Sequence, residues 1–192
     1  MENKKLTARD VCASAAFTAI TAAMAQIAFP LPFTPVPVSL GTAAVFAAGM
    51  MLSPRRAFMS QIAYLLLGAA GLPVFAYFRG GFDAFIGPTG GYLWAYPVMA
   101  FFISHACRLA ERARKKNFKI KFITHVINFF ILSLSMVVCY LSGSAWLARV
   151  MSVSLTQALA LGALPYVAAD AVKIIFCVIV TPQIKKTAGR FL

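Results

Sequence analysis

The run Leu161-Gly-Ala-Leu-Pro-Tyr-Val-Ala-Ala-Asp170-Ala-Val-Lys173-Ile-Ile-Phe-Cys-Val-Ile-Val-Thr181 holds two charges in an otherwise apolar stretch. Its length and composition read as a membrane span. A charge at the centre of such a helix costs roughly 2.5–3.5 kcal/mol on insertion scales. A chain that keeps two of them has a partner or a ligand for them to face. Asp170 and Lys173 are three residues apart, so on a helix they share one face. Tyr166 and Cys177 continue the same stripe. The pair is the first pointer to a binding site; an ion bridge that only holds helices together is its other reading.

The rest of the chain agrees with a membrane location. Of its 192 residues, 61% are hydrophobic, and the mean hydropathy is +0.81. Apolar blocks alternate with charged or Pro/Gly-rich breaks, as in a polytopic membrane protein. The sequence predicts six spans: Ala8–Phe29, Val38–Leu52, Ala57–Leu72, Tyr92–Leu109, Phe122–Leu141 and Thr156–Thr181. The second and third are shorter than the roughly 20 residues that cross a bilayer squarely. They are kept as two spans, not one re-entrant hairpin, because Ser53-Pro54-Arg55-Arg56 is a charged turn that belongs in water. The first block is too long for a signal-peptide core and is read as retained. The expected fold is all-α: one domain over residues 1–192, with six transmembrane helices and two structured outer loops forming a lid.

The net charge of +13 is distributed by topology. With the N-terminus inside, one side receives Lys4, Lys5, Arg9, Arg55, Arg56, Arg108, Arg112, Arg114, Lys115, Lys116, Lys119, Lys121, Lys185, Lys186 and Arg190. The other receives only Arg79 and Arg149. That asymmetry puts both termini in the cytoplasm. It also explains the positive charge without nucleic acid, and it accounts for the basic run from Glu111 to Lys121, which could otherwise suggest anionic lipid. Cys12, Cys107, Cys139 and Cys177 are dispersed, with no CxxC and no His/Cys spacing. Neither a disulfide framework nor a metal site is indicated.

The outer side carries two unusual loops. In Phe29-Pro-Leu-Pro-Phe-Thr-Pro-Val-Pro37 four prolines fix φ and remove donors, so the segment is stiff and extended. The second loop, Gly71 to Tyr92, is rich in glycine and aromatics. An exposed flexible linker would be polar; these apolar loops read as packed over something.

The second loop carries a family resemblance. Gly71-Leu72-Pro73-Val74-Phe75, Gly80-Gly81 and Gly87-Pro88-Thr89-Gly90-Gly91-Tyr92 resemble the BioY family. The likeness extends to Thr34-Pro35-Val36-Pro37 and to Asp170-Ala-Val-Lys173, and so covers nearly the whole chain. It implies a substrate-capturing S component of an energy-coupling-factor transporter in a prokaryotic cell membrane. The ligand would be biotin, with no cofactor. The partners would be a membrane-embedded coupling subunit, two ATPase subunits and the lipid bilayer. It also implies that Asp170 and Lys173 line the biotin site.

Biotin offers two ureido N–H donors, a carbonyl, an alkyl chain and a carboxylate. A carboxylate only accepts and an ammonium only donates. Asp170 suits the ureido N–H groups; Lys173 suits the ureido carbonyl or the tail carboxylate. Two groups one helical turn apart do not reach opposite ends of an elongated ligand, so both are assigned to the ureido end and Arg79 to the tail. Tyr166, Tyr77, Phe75, Gly91 and Tyr92 complete the expected substrate-binding set. Ala15, Ala19 and Ala23 form a small-residue stripe that lets another helix approach closely. In S components resembling this chain, such a stripe docks the coupling subunit.

An enzyme is unsupported: the chain has no phosphate-binding loop, no Ser/His/Asp constellation and no paired carboxylates in one site. The alternatives kept open are an S component for another vitamin and a membrane protein that uses Asp170/Lys173 as a structural bridge.

Overall fold

The computed structural model describes residues 7–114 and 121–188. Helix α1 (Ala8–Ala25) leads into an antiparallel hairpin of β1 (Ala28–Leu31) and β2 (Thr34–Ser39). Helices α2 (Gly41–Met51) and α3 (Pro54–Ala69) follow. A loop with a 3-10 turn at Ala76–Phe78 and the short α4 (Asp83–Ile86) leads to α5 (Gly90–Arg114). Then come α6 (Lys121–Met151), α7 (Leu155–Gly162), a 3-10 turn at Leu164–Tyr166, and α8 (Val167–Ala188).

The starts of these helices follow from local chemistry. Thr7 caps α1 in a capping box with Asp10, Pro54 opens α3, and Ser154 caps α7 in a box with Gln157. Helix α1 presents two contrasting faces. Ser14 and Thr18 donate to the Arg56 and Ser60 carbonyls of α3, and Gln61 of α3 donates to Thr21. Ala15, Ala19 and Ala23 lie on the exposed side.

Two expectations need correcting. The chain is not all-α, because the proline-rich outer segment pairs with itself, Ala28 opposite Ser39 and Leu31 opposite Thr34. Extended residues with few donors can still share the ladder bonds that remain. The stretch Thr156–Thr181 is not one continuous helix. It breaks at Leu164-Pro165-Tyr166, where proline cannot continue the preceding turn. Asp170 therefore lies in the first turn of α8, where the helix dipole favours a negative charge. Its position costs less than the centre of an unbroken span.

Among the described residues, Ile123–Met151 and Leu155–Lys185 are long and apolar enough to cross a membrane, while Gly41–Met51 is apolar but short. Eleven residues of helix rise about 16 Å, roughly half of a hydrocarbon core. Helix α2 is instead the buried centre of the bundle, packed against α1, α5 and α8. The hairpin precedes it and lies beside the 71–92 loop.

Candidate functional site

Two adjoining cavities lie where the hairpin, the loop after α3, and helices α5, α6 and α8 converge. The larger, about 450 Å³, is lined by Tyr64, Phe75, Tyr77, Arg79, Asp83 and Thr89 among others. It falls within the size range of small-molecule pockets. The smaller, about 60 Å³, holds Tyr140, Tyr166, Asp170 and Lys173. Val36, Pro37, Ser39, Tyr92 and Tyr96 line both.

The inner compartment is built around Asp170 and Lys173, which are 3% and 7% exposed. Lys173 Nζ donates to Asp170 Oδ1 at 2.7 Å, to the Ser39 carbonyl at 2.6 Å and to the Thr42 hydroxyl at 3.2 Å. An ammonium has three protons, so the donors of Lys173 are all committed. Asp170 Oδ2 accepts from the Tyr140 hydroxyl at 2.5 Å. Each carboxylate oxygen still has a second acceptor site. Tyr96 is 8% exposed, and its hydroxyl has no hydrogen-bond partner among the described residues. A Cβ on Gly41 would sit 3.4 Å from that oxygen, which places it beside the turn holding Lys173. The compartment thus has spare acceptors on Asp170 and one spare donor on Tyr96. That is the complement of a group whose N–H donors flank a carbonyl.

The outer compartment is aromatic and strapped from several sides. Phe75 is buried, its ring 5.4 Å from Tyr64 and 5.6 Å from Phe85 in edge contacts. Gly68 makes room for that ring, since a Cβ there would lie 2.0 Å from Phe75 Cζ. Tyr77 and Phe78 both have positive φ, 61° and 55°, an unfavourable backbone for residues with a Cβ. The Phe78 amide is held by Gln26 Oε1 at 2.9 Å, and Gln26 also donates to the Pro73 carbonyl at 3.3 Å. Partial shielding pushes the Tyr77 phenol up, opposed by the charge of Arg79. Trp146 donates to the Gly87 carbonyl at 3.0 Å, and Trp94 packs 5.0 Å from Phe85.

The structure brings together seven of the eight expected substrate-binding residues. Asp170, Lys173 and Tyr166 line the inner cavity, Phe75, Tyr77 and Arg79 line the outer one, and Tyr92 borders both. The tyrosine hydroxyls are committed elsewhere: Tyr166 to the Val36 carbonyl, Tyr92 to the Gly162 carbonyl at 2.9 Å. Arg79 and Asp83 share the outer cavity without pairing with each other. Gly91 lines neither cavity; a Cβ there would meet Trp146 Cβ at 2.4 Å and the Ser142 carbonyl at 2.7 Å. It is a contact point between α5 and α6.

Sequence reasoning missed Tyr96, Tyr140, Ser39 and Thr42. Tyrosines inside apolar blocks were the available signal for the first two, because a buried phenol seeks a partner. No local signal marks Ser39 or Thr42. No cluster of metal-ligating side chains exists among the described residues.

Comparisons with known proteins bear on the family and the fold. The BioY family model matches residues 1–190. A probable biotin transporter BioY of Pyrococcus horikoshii is 36% identical over 180 residues, covering 94% of this chain and 98% of the relative. A probable biotin transporter BioY of Bacillus subtilis is 41% identical over 157 residues, covering 80% and 79%. A crystal structure of the S-component for biotin from an ECF-type ABC transporter superposes with a TM-score of 0.80 at 26% identity, covering 95% of each chain.

Proposed function

The chain belongs to the BioY family, and on that premise we propose that it is the biotin-capturing S component of an energy-coupling-factor transporter. The observation that carries the reading is the inner compartment. Buried Asp170 keeps free acceptor sites beside the unpartnered Tyr96 hydroxyl. The ureido N–H groups go to Asp170 and the ureido carbonyl to Tyr96, with Lys173 holding the carboxylate in place. The thioether ring and alkyl chain fill the aromatic compartment, and the tail carboxylate meets Arg79 at its rim. Six spans hold this site, both termini are cytoplasmic, and the hairpin and the 71–92 loop act as the lid.

Equilibrium binding of radiolabelled biotin to the purified protein tests the assignment, with thiamine and riboflavin as competitors. The expected result is competition by unlabelled biotin alone. Displacement by either other vitamin would replace biotin with that ligand. In the same assay, biotinamide is expected to compete more weakly than the free acid through the lost contact to Arg79. Equal competition would remove Arg79 from the site.

Transport requires a membrane-embedded coupling subunit and two ATPase subunits, and the exposed Ala15, Ala19 and Ala23 face of α1 is the docking surface. That face is free because the hydroxyls of α1 are used on its opposite side. Ala19→Trp is expected to reduce co-purification of the coupling subunit at least about tenfold by blocking close helix approach, while biotin affinity stays at the wild-type value. Unchanged co-purification would move the docking face elsewhere.

A further inference from the structure

The end of the bundle opposite the cavities carries a group of arginines centred on Arg108. Ser104 of α5 donates to the Leu52 carbonyl at 2.6 Å, which fixes α5 against the turn between α2 and α3. One helical turn further on, Arg108 is half-buried. Its Nε is shielded from solvent and has no hydrogen-bond partner among the described residues. The charged groups acting on it are Arg56, Arg112 and Glu111.

The chain's own acids do not balance this cluster. There are five: Glu2, Asp10, Asp83, Glu111 and Asp170. Asp10 pairs with Arg56, Glu111 holds Lys185 at 2.7 Å, and Asp170 holds Lys173. Asp83 is in the outer loop, and Glu2 lies outside the described residues. Arg108 therefore has no hydrogen-bonded carboxylate among the described residues, and the half-buried guanidinium is open to an acceptor from outside them.

The neighbouring surface gives the shape of that anion. Phe101, His105, Arg108 and Arg112 are spaced to lie on one stripe of α5. Phe101 and His105 stack with centroids 6.2 Å apart. Phe58 of α3 stands edge-on to Phe101 at 6.4 Å, and Phe58 and Phe101 are 40% and 47% exposed. The stripe therefore runs from exposed aromatic rings to two arginines. A free phosphate would use only the charged end. A molecule with an apolar chain and an anionic head would use both.

We infer that the exposed face shared by α3 and α5 is a binding site for an anionic phospholipid. Its phosphate lies at Arg108, flanked by Arg56 and Arg112, and an acyl chain lies along Phe58 and Phe101. The inference rests on the orientation proposed above, which puts this end at the inner leaflet, where anionic headgroups attract basic side chains.

The test is native mass spectrometry of the purified protein after exchange with phosphatidylglycerol or phosphatidylcholine, with biotin binding measured on the same samples. The wild type is expected to retain phosphatidylglycerol over phosphatidylcholine. The double variant R108Q/R112Q is expected to retain about tenfold less, R108K an intermediate amount, and R149Q, at the other end of the molecule, the wild-type amount. Normal biotin binding in R108Q/R112Q reports that the variant is folded. Equal retention by the wild type and R108Q/R112Q would overturn the proposal. Displacement by inorganic phosphate would also overturn it, leaving a free-anion site. Loss of coupling-subunit co-purification with lipid retention intact would assign the arginines to a protein partner instead. Failure of the wild type to bind biotin would sink the transport reading and leave the lipid result to stand on its own.

Discussion

Asp170→Ala is expected to abolish high-affinity biotin binding, with a loss of at least about a hundredfold from the missing charge-assisted hydrogen bonds. The same change should lower the melting temperature. It strands the Lys173 ammonium, 7% exposed, with only the Ser39 carbonyl and Thr42 hydroxyl to meet it. It also leaves the Tyr140 hydroxyl without its acceptor. Removing one member of a buried pair typically costs about 3–5 kcal/mol. Binding loss and destabilisation are separable by removing both charges. Asp170→Leu with Lys173→Met replaces the pair by apolar groups, which is often neutral or stabilising. That variant is expected to recover the melting temperature and still fail to bind. Wild-type biotin binding in it would reduce the pair to a structural bridge, a reading favoured so far only by the full commitment of the Lys173 donors.

The second large effect is expected far from any charge. Gly91→Val should destabilise the protein by about 2 kcal/mol or more, as overpacking of a close contact does, and binding should be lost with the fold. The added Cβ would lie 2.4 Å from Trp146 Cβ, 2.7 Å from the Ser142 carbonyl and 3.1 Å from Gly143 Cα. The obstructing atoms are backbone or the root of a side chain, so they cannot swing away. Helices α5 and α6 would have to separate, and Tyr92, one residue on, would leave the border between the cavities. Thermal unfolding in detergent reads the effect; a wild-type melting temperature would show that the helices are not in contact there.

The fate of Gly91 illustrates what a sequence can and cannot say about a site. Its motif is legible, but a glycine does not reveal which neighbour needs the room, and here the neighbour is a helix. Asp170 and Lys173 were legible because charge inside an apolar run is rare and costly. Tyr96 and Tyr140 were not, because a tyrosine in an apolar helix is an ordinary occurrence until its hydroxyl is traced to a partner. Among the elements, α1, α3, α5 and α6 stand over predicted apolar blocks, since the charged and Pro/Gly-rich breaks between blocks are visible in the sequence. The break at Leu164-Pro165-Tyr166 was visible as a proline but lost in the average hydropathy of its block. The pairing of β1 with β2 depends on contacts across the turn, and prolines alone announce only that the chain is extended. Ser39 and Thr42 reach Lys173 across more than 130 positions of sequence, a distance at which no spacing rule operates.

Both tryptophans of the chain touch one short stretch of the outer loop. Trp146 donates to the Gly87 carbonyl, and Trp94 lies against Phe85; the sequence contains no third. Neither belongs to the lining of the two cavities. The unlabelled protein thus carries its own optical gauge, aimed at the rim of the site rather than at its occupant. Any change in the seating of residues 85–87 would alter the surroundings of both indoles, and a stopped-flow trace of the ultraviolet emission would time it with no dye attached.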